Sequence, residues 1–311
     1  MGVKKATCII LLALLAWCTN AHARLLFLVS QESSLYTAFQ QGFESNFEAA
    51  ETPRQISYLL ADTLKTSETL ALYDVIVVAG VKAAKKLAQV SVGDSKVIYT
   101  MLPLSSYQWL QENKLLVENH QVLYIDQPPY RFINLVKTAL PTVNTLGYLH
   151  GNISITHSEK LGVAADEYQI KLNDVMLNPE QRLMSTLQSL VVDSDAVVVL
   201  PDPYLFNRRT VQALLLASLR QRKPLIAYSE SYVNAGALMA LFSSPEQIGR
   251  HTAELVNCLN IKCSELTAIE HYPKYFSVSL NRVIARQLGF VIPPVDEIER
   301  QLQALEPKSA Q

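Results

Sequence analysis

The sequence predicts an α/β protein built as two doubly wound parallel-sheet lobes joined by hinge strands. One short pattern occurs twice, in Tyr73-Asp74-Val75-Ile76-Val77-Val78-Ala79-Gly80 and in Ser194-Asp195-Ala196-Val197-Val198-Val199-Leu200-Pro201-Asp202. Each copy is an acidic residue, an unbroken apolar run and a small or turn-forming residue. A run without polar alternation has no face to offer water, so it reads as a central strand covered by helices on both sides. The spacing adds to this: Asp74 and Asp195 stand at the same separation as Leu25 and Leu146, which open the apolar runs 25–30 and 146–151. Two strands in each half at one offset imply two lobes of the same build. Finally, strand and helix patterns alternate from Arg24 to about Glu230, the signature of parallel sheets rather than of separate α and β regions.

In the first series the strand-like runs are 25–30, 55–60, 74–79, 96–101 and 121–125. Between them, Leu35, Tyr36, Phe39, Phe43 and Phe47 recur at three- and four-residue steps, as one buried helix face requires. Shorter helices are expected at 83–90 and 105–113, the second announced by Pro103 and Ser105. Asp126-Gln127-Pro128-Pro129 marks a hinge, because two prolines break any ladder and a new helix pattern, 130–140, follows. The second series has strands 145–150, 168–173, 195–200 and 224–228, with helices 158–167, 179–191 and 208–221 between them. From Ser231 on, the segments 237–243, 245–259, 276–280 and 281–288 read as pieces that return to complete both sheets. The first lobe is thus expected at 24–126, completed by about 231–260. The second is expected at 127–230, completed by about 265–305, with 306–311 a frayed polar tail.

Lys4 and Lys5, the apolar run 9–17 and Ala21-His22-Ala23 have the order of a secretory leader cleaved after Ala23. The run is too short to span a bilayer, which needs roughly 20 apolar residues. Lipidation at Cys18 is disfavoured by the bulk of Trp17 just before it. The remaining chain is expected to be a soluble periplasmic protein, and a monomer. Of four cysteines, Cys8 and Cys18 leave with the leader, and Cys258 with Cys263 are expected to form a local disulfide in an oxidising compartment. A metal site at that pair lacks nearby ligands. A formal net charge of −1 argues against nucleic acid as a partner.

Several chemistries are excluded by their missing motifs. The turn after the first strand, Ser30-Gln31-Glu32-Ser33-Ser34, holds no glycine, so a dinucleotide fingerprint is absent. No Walker loop and no G-x-S-x-G elbow occurs. His120, His150, His157, His251 and His271 are scattered without i, i+4 partners and read as surface or hydrogen-bonded residues. The chain is therefore expected to be no enzyme, with no catalytic residue, no cofactor and no metal.

The fold itself then points to the site. In open α/β sheets ligands bind beyond the carboxyl ends of the strands, where loops and helix N-termini converge. Read in order, those ends give Ser30, Gln31, Ser33, Gly80, Thr100, Asp126, Gly151, Asn152, Asp202, Ser229 and Glu230 as candidate ligand-binding residues. The set suits a small polar zwitterion, with hydroxyls and helix amides for a carboxylate and Asp202 or Glu230 for an ammonium group. Equally, Asp202 between prolines can shape a turn, and Ser30 or Ser33 can cap a helix. Aromatic candidates are Tyr36, Tyr130 and Tyr232. Asp74 and Asp195 precede their strands and so lie at the opposite edge.

A longer signature follows from Pro224. Pro224-Leu225-Ile226-Ala227-Tyr228-Ser229, Tyr232-Val233-Asn234-Ala235-Gly236-Ala237-Leu238, Ile248-Gly249-Arg250-His251-Thr252-Ala253, Ser279-Leu280-Asn281-Arg282-Val283-Ile284-Ala285 and Leu288-Gly289-Phe290-Val291-Ile292-Pro293 occur in that order. This resembles the substrate-binding proteins of ABC importers, in the group that includes tryptophan and tyrosine transporters. The likeness extends through Asp195 to Asp202 and weakly through Tyr73 to Gly80. It implies a type I periplasmic-binding fold that encloses a small ligand, an amino acid or a related compound, for an ABC permease. The alternative is a sensory or partner-binding module of the same fold that regulates a membrane receptor or kinase. The ligand residues it implies are Ser229, Glu230 and the turn at Asp202. Thr100-Met101-Leu102-Pro103-Leu104 stands where the family usually carries a Thr- or Asp-rich loop.

Overall fold

The computed structural model describes residues 24–47, 55–66, 70–177, 183–202, 205–261 and 269–307. The expected leader, Pro203 and Cys263 lie outside these residues, so the pairing of Cys258 with Cys263 does too.

The first lobe opens with β1 (Arg24–Val29), α1 (Ser34–Glu44), β2 (Gln55–Leu60), β3 (Val75–Ala79), α2 (Val81–Leu87), β4 (Lys96–Leu102), α3 (Leu104–Glu112) and β5 (His120–Tyr124). The second continues with α4 (Pro129–Ala139), β6 (Thr145–His150), a 3-10 turn (Asn152–Ser154), α5 (Ile155–Glu167) and β7 (Lys171–Met176). It goes on through α6 (Leu183–Val192), β8 (Ala196–Val198), α7 (Arg208–Arg220), β9 (Leu225–Ala227), α8 (Glu230–Ala235) and β10 (Met239–Phe242). The chain then recrosses into α9 (Pro245–Ile261) and β11 (Glu270–His271) of the first lobe. It ends in the second with β12 (Ser277–Leu280), α10 (Arg282–Leu288) and α11 (Val295–Ala304).

The two sheets have one topology. The first runs β11-β5-β4-β3-β1-β2 and the second β12-β10-β9-β8-β6-β7, so β1 corresponds to β6 and β3 to β8. All pairings are parallel except β12, which runs antiparallel to β10. Every residue of β3 and of β8 is buried, as an unbroken apolar run covered on both faces requires. The acidic residues in front of them do matching work. Asp74 accepts from the Arg24 amide at 2.7 Å, and Asp195 from the Asn144 and Thr145 amides at 3.1 and 2.9 Å. Each ties the start of its lobe's first strand at the edge opposite the strand tips.

Two boundaries differ from expectation. Within 231–260 only α9 returns to the first lobe, whereas α8 stays with the second lobe and β10 lies in its sheet between β9 and β12. After α9, the short β11 adds to β5 before the chain leaves for good. The helix α9 joins the first lobe by packing on α1 at a crossing too tight for any side chain. A Cβ on Gly42 would lie 2.2 Å from the Glu246 carbonyl oxygen, and one on Gly249 would lie 2.0 Å from that of Phe39. Glu306, at the start of the expected frayed tail, is held by a buried arginine described below, and residues 308–311 lie outside the described ones.

Candidate functional site

The tips of both sheets face a cleft of about 710 Å³. Its first wall is Gln31, Ser33, Leu35 and Tyr36 at the start of α1, with Met101 and Ile125 at the ends of β4 and β5. Its second wall is Pro201 after β8 and Tyr228, Ser229, Glu230 and Ser231 after β9. The crossover from β10 to α9 closes one side through Phe242, Ser243, Ser244, Pro245, Glu246 and Ile248.

Four of the strand-end candidates line this cleft, Gln31, Ser33, Ser229 and Glu230, and so does the aromatic candidate Tyr36. The others are used by the protein itself. The Ser30 hydroxyl donates to the Ala79 carbonyl and accepts from the Ala83 amide, both at 3.0 Å, and so stitches β1 to the β3–α2 turn. Gly80 sits at φ +92° under that stitch, where a Cβ would come within 2.2 Å of the Tyr36 hydroxyl and 2.5 Å of Ser30 Oγ. Thr100 is fully buried, its hydroxyl 3.5 Å from that of Thr252. Asp126 is buried and accepts from the Leu104 amide at the start of α3 at 2.7 Å, with its other oxygen 3.1 Å from His157 Nε2 of the second lobe. Asp202 is equally buried. It accepts from the Gly151 amide at 3.1 Å, the Ser154 hydroxyl at 2.8 Å and the Leu205 amide at 3.2 Å. Both carboxylates are buried and neither is among the residues lining the cleft, so they hold chain ends instead of facing it. Gly151 and Asn152 are not among the residues lining the cleft. Tyr232 is buried and turns into a separate groove within the second lobe, its hydroxyl 3.4 Å from that of Tyr228.

The residues that sequence reasoning passed over stand beside these. Met101, Ile125, Pro201 and Tyr228 face the cleft, each next in sequence to a candidate. Neighbouring side chains on an extended chain point opposite ways. After β5 and β8 the polar one, Asp126 or Asp202, turns inward to satisfy backbone amides; Thr100 turns in against Thr252, and after β9 both Tyr228 and Ser229 line the cleft. Leu35, expected on the buried face of α1, also opens onto it.

The charge of the lining is one-sided. Glu230 and Glu246 are its carboxylates, both exposed, and among the described residues no Lys, Arg or His belongs to it. Donors come from α1 instead. Ser33 at its N-cap makes no side-chain cap and the first turn holds no acid, so the amides there meet the cleft uncapped. Burial raises the Tyr228 hydroxyl pKa above the usual tyrosine value, with Asp126 and Asp202 adding to the shift. Among the described residues no group of three His, Cys, Asp or Glu is placed to hold a metal ion.

Residues 73–295 match the family described as ABC transporter substrate binding protein. The chain belongs to that family. No curated protein matches it significantly. Among solved structures, a conserved domain protein from Vibrio cholerae O1 biovar El Tor is 20% identical over 90% of this chain and 98% of its own, with a TM-score of 0.55. An ABC domain from Streptococcus pneumoniae in complex with L-Trp is 16% identical over 90% and 98%, with a TM-score of 0.55. A ligand-free, open substrate binding protein with adhesive properties from Clostridium difficile is 17% identical over 87% and 96%, with a TM-score of 0.65. The fold of this ABC substrate-binding protein is that of the type I periplasmic binding proteins.

In this substrate-binding protein the three crossovers between lobes are bonded together. Arg131 on α4 is 2% exposed, and its Nε and Nη2 grip the two oxygens of Glu306 at 2.7 and 2.6 Å. Its Nη1 donates to Gln127 in the first crossover and to the Pro273 carbonyl in the third, at 3.0 Å in the latter case. Gln127 donates onward to Ser243 in the second at 2.8 Å, and Ser243 to the Tyr275 carbonyl. Tyr130 completes the shell by donating to Glu306 at 2.8 Å, so it belongs to the hinge and not to the cleft. Near the hinge the lobes also meet through Gln108, which donates to Thr156 at 2.9 Å.

Proposed function

We propose that this chain is an exported solute receptor that captures a small amphipathic, amino-acid-like molecule between its lobes and delivers it to an ABC permease. The observation that carries the reading is the cleft lined from both lobes and the hinge. A ligand touching both walls binds the closed arrangement better than the open one, and that difference in affinity is what drives closure. The uncapped start of α1 suits a carboxylate and Glu230 an ammonium group, while Tyr36, Met101 and Tyr228 offer a flat apolar body something to lie against. The L-Trp complex of the pneumococcal neighbour agrees with such a ligand. The family's role and the absence, among the described residues, of any helix long and apolar enough to cross a membrane fit export. Cleavage of the leader after Ala23 and a Cys258–Cys263 disulfide belong to the same reading.

The test is thermal unfolding of the chain starting at Arg24 against amino acids, nucleosides, sugars and polyamines. Stabilisation by zwitterionic amino acids is expected, weakened by Glu230→Gln. Saturation at 100 times Kd stabilises by about 2.7 kcal/mol, well within reach of a melting curve. Stabilisation by no solute in the panel rejects the reading.

A further inference from the structure

Four described residues other than glycine have a left-handed backbone: Met101, Lys114, Gln169 and Arg222. Three of them follow helix ends, Lys114 after α3, Gln169 after α5 and Arg222 after α7, where such a residue ordinarily terminates a helix. Met101, at φ +55°, ends no helix. It sits where the register of β4 against β5 slips between Tyr99 and Leu102, so that Thr100 and Met101 together face a single step of β5.

The strain is held from both sides. Tyr99, Thr100 and Leu102 are fully buried. The Thr100 carbonyl accepts from Gly80 at 2.9 Å, and that of Leu102 from Ile125 at 3.2 Å. Without the bulge Met101 would stay in the pleat of β4. With it, the side chain packs partly on the buried cluster that includes Ile98, Leu123 and Ile248 and presents the rest to the cleft. A conformation unfavourable for any side chain, kept where glycine would serve the backbone better, points to a use for the side chain.

Resting on the reading of the cleft as the ligand site, we infer that Met101 is its specificity-determining residue, a polarizable thioether set against the flat face of an aromatic ligand. Tyr36 and Tyr228, from the two walls, line the same space. Thioether–aromatic contacts favour a ring over an aliphatic group of similar size by roughly two- to tenfold in affinity.

The experiment measures calorimetric Kd values for L-tryptophan and L-leucine with the wild type, Met101→Gly, Met101→Ala and Met101→Leu, together with ligand-free melting temperatures. Met101→Gly is expected to melt above Met101→Ala, because only glycine relieves the backbone. Both should lose several-fold in L-tryptophan affinity and most of the preference for it over L-leucine. Met101→Leu, which keeps bulk but not sulfur, should retain affinity for L-leucine and lose part of the preference. A glycine variant that binds both probes as the wild type does overturns the role of Met101 and leaves the cleft standing. A wild type that binds neither probe removes the ligand on which the inference depends. In that case the broader solute panel decides the fate of the cleft itself.

Discussion

In the first lobe the crevice between the tips of β1 and β3 is filled by Ser30, a neutral hydroxyl bonded to the Ala79 carbonyl and the Ala83 amide. In the second, the equivalent crevice between β6 and β8 is filled by Asp202, a carboxylate bonded to Gly151, Ser154 and Leu205. That crevice is the switch point where open α/β sheets usually admit a ligand. Both lobes have plugged it with their own side chains, and the cleft is displaced to the residues next along the chain. The chemistry of the plugs extends through each lobe. The first relies on close glycine crossings at Gly42 and Gly249 and on one buried carboxylate, Asp126, bonded to the start of α3, whereas the second holds more buried charge, Asp202 and the Arg131–Glu306 pair.

If that contrast is right, the largest loss comes from removing half of an ion pair in the second lobe. Glu306→Ala leaves the Arg131 guanidinium buried over the Phe276 ring with Gln127 and Pro273 as its remaining hydrogen-bond partners, and should cost about 3–5 kcal/mol in urea unfolding. Replacing both partners by leucine should cost much less, since the guanidinium is then no longer stranded. Equal losses in the single and double variants would show that Glu306 acts through something other than this pair.

The plugs themselves give the next contrast. Asp202→Ala strands two backbone amides and a hydroxyl and should cost about 3 kcal/mol. Ser30→Ala leaves the Ala83 amide without its partner and should cost about 1 kcal/mol. Urea unfolding of the two variants compares the lobes directly, and similar losses would erase the distinction between them.

The repeat was readable because its physics is local. An unbroken apolar run specifies a doubly covered strand, and an acid before it specifies a tie at the rear edge, so Asp74 and Asp195 could be placed from sequence. The strand tips could not be resolved to the residue. Which of Thr100 and Met101, or of Asp202 and Pro201, faces the cleft depends on a bulge and on backbone amides contributed by segments about 20 to 50 residues away. The tight crossing of α1 and α9 was equally hidden, because Gly42 and Gly249 gain their meaning only from each other. Glu306 looked like the start of a polar tail because Arg131, its partner, is 175 residues distant.

The smallest expected effect tests whether a buried histidine of the first lobe stays neutral. His251 on α9 accepts from the Lys274 amide at Nδ1, 3.2 Å away. Burial lowers its pKa from 6.5 to about 3, with the charges of His271, Lys274 and Arg131 adding to the shift. Below pH 6.5 the unfolded chain therefore binds a proton that the folded one refuses, so stability falls on acidification through the window from 6.5 to about 3 and is unaffected above it. Between pH 6.5 and 5.5 this group alone should remove about 1 kcal/mol. His251→Asn keeps an acceptor for the Lys274 amide but does not titrate, so its stability should stay flat over that interval apart from what other groups contribute to both proteins. Urea unfolding at the two pH values measures the difference. A parallel fall in both proteins would mean that His251 carries its charge inside the folded lobe, and that burial beside Lys274 and Arg131 does not keep its ring neutral.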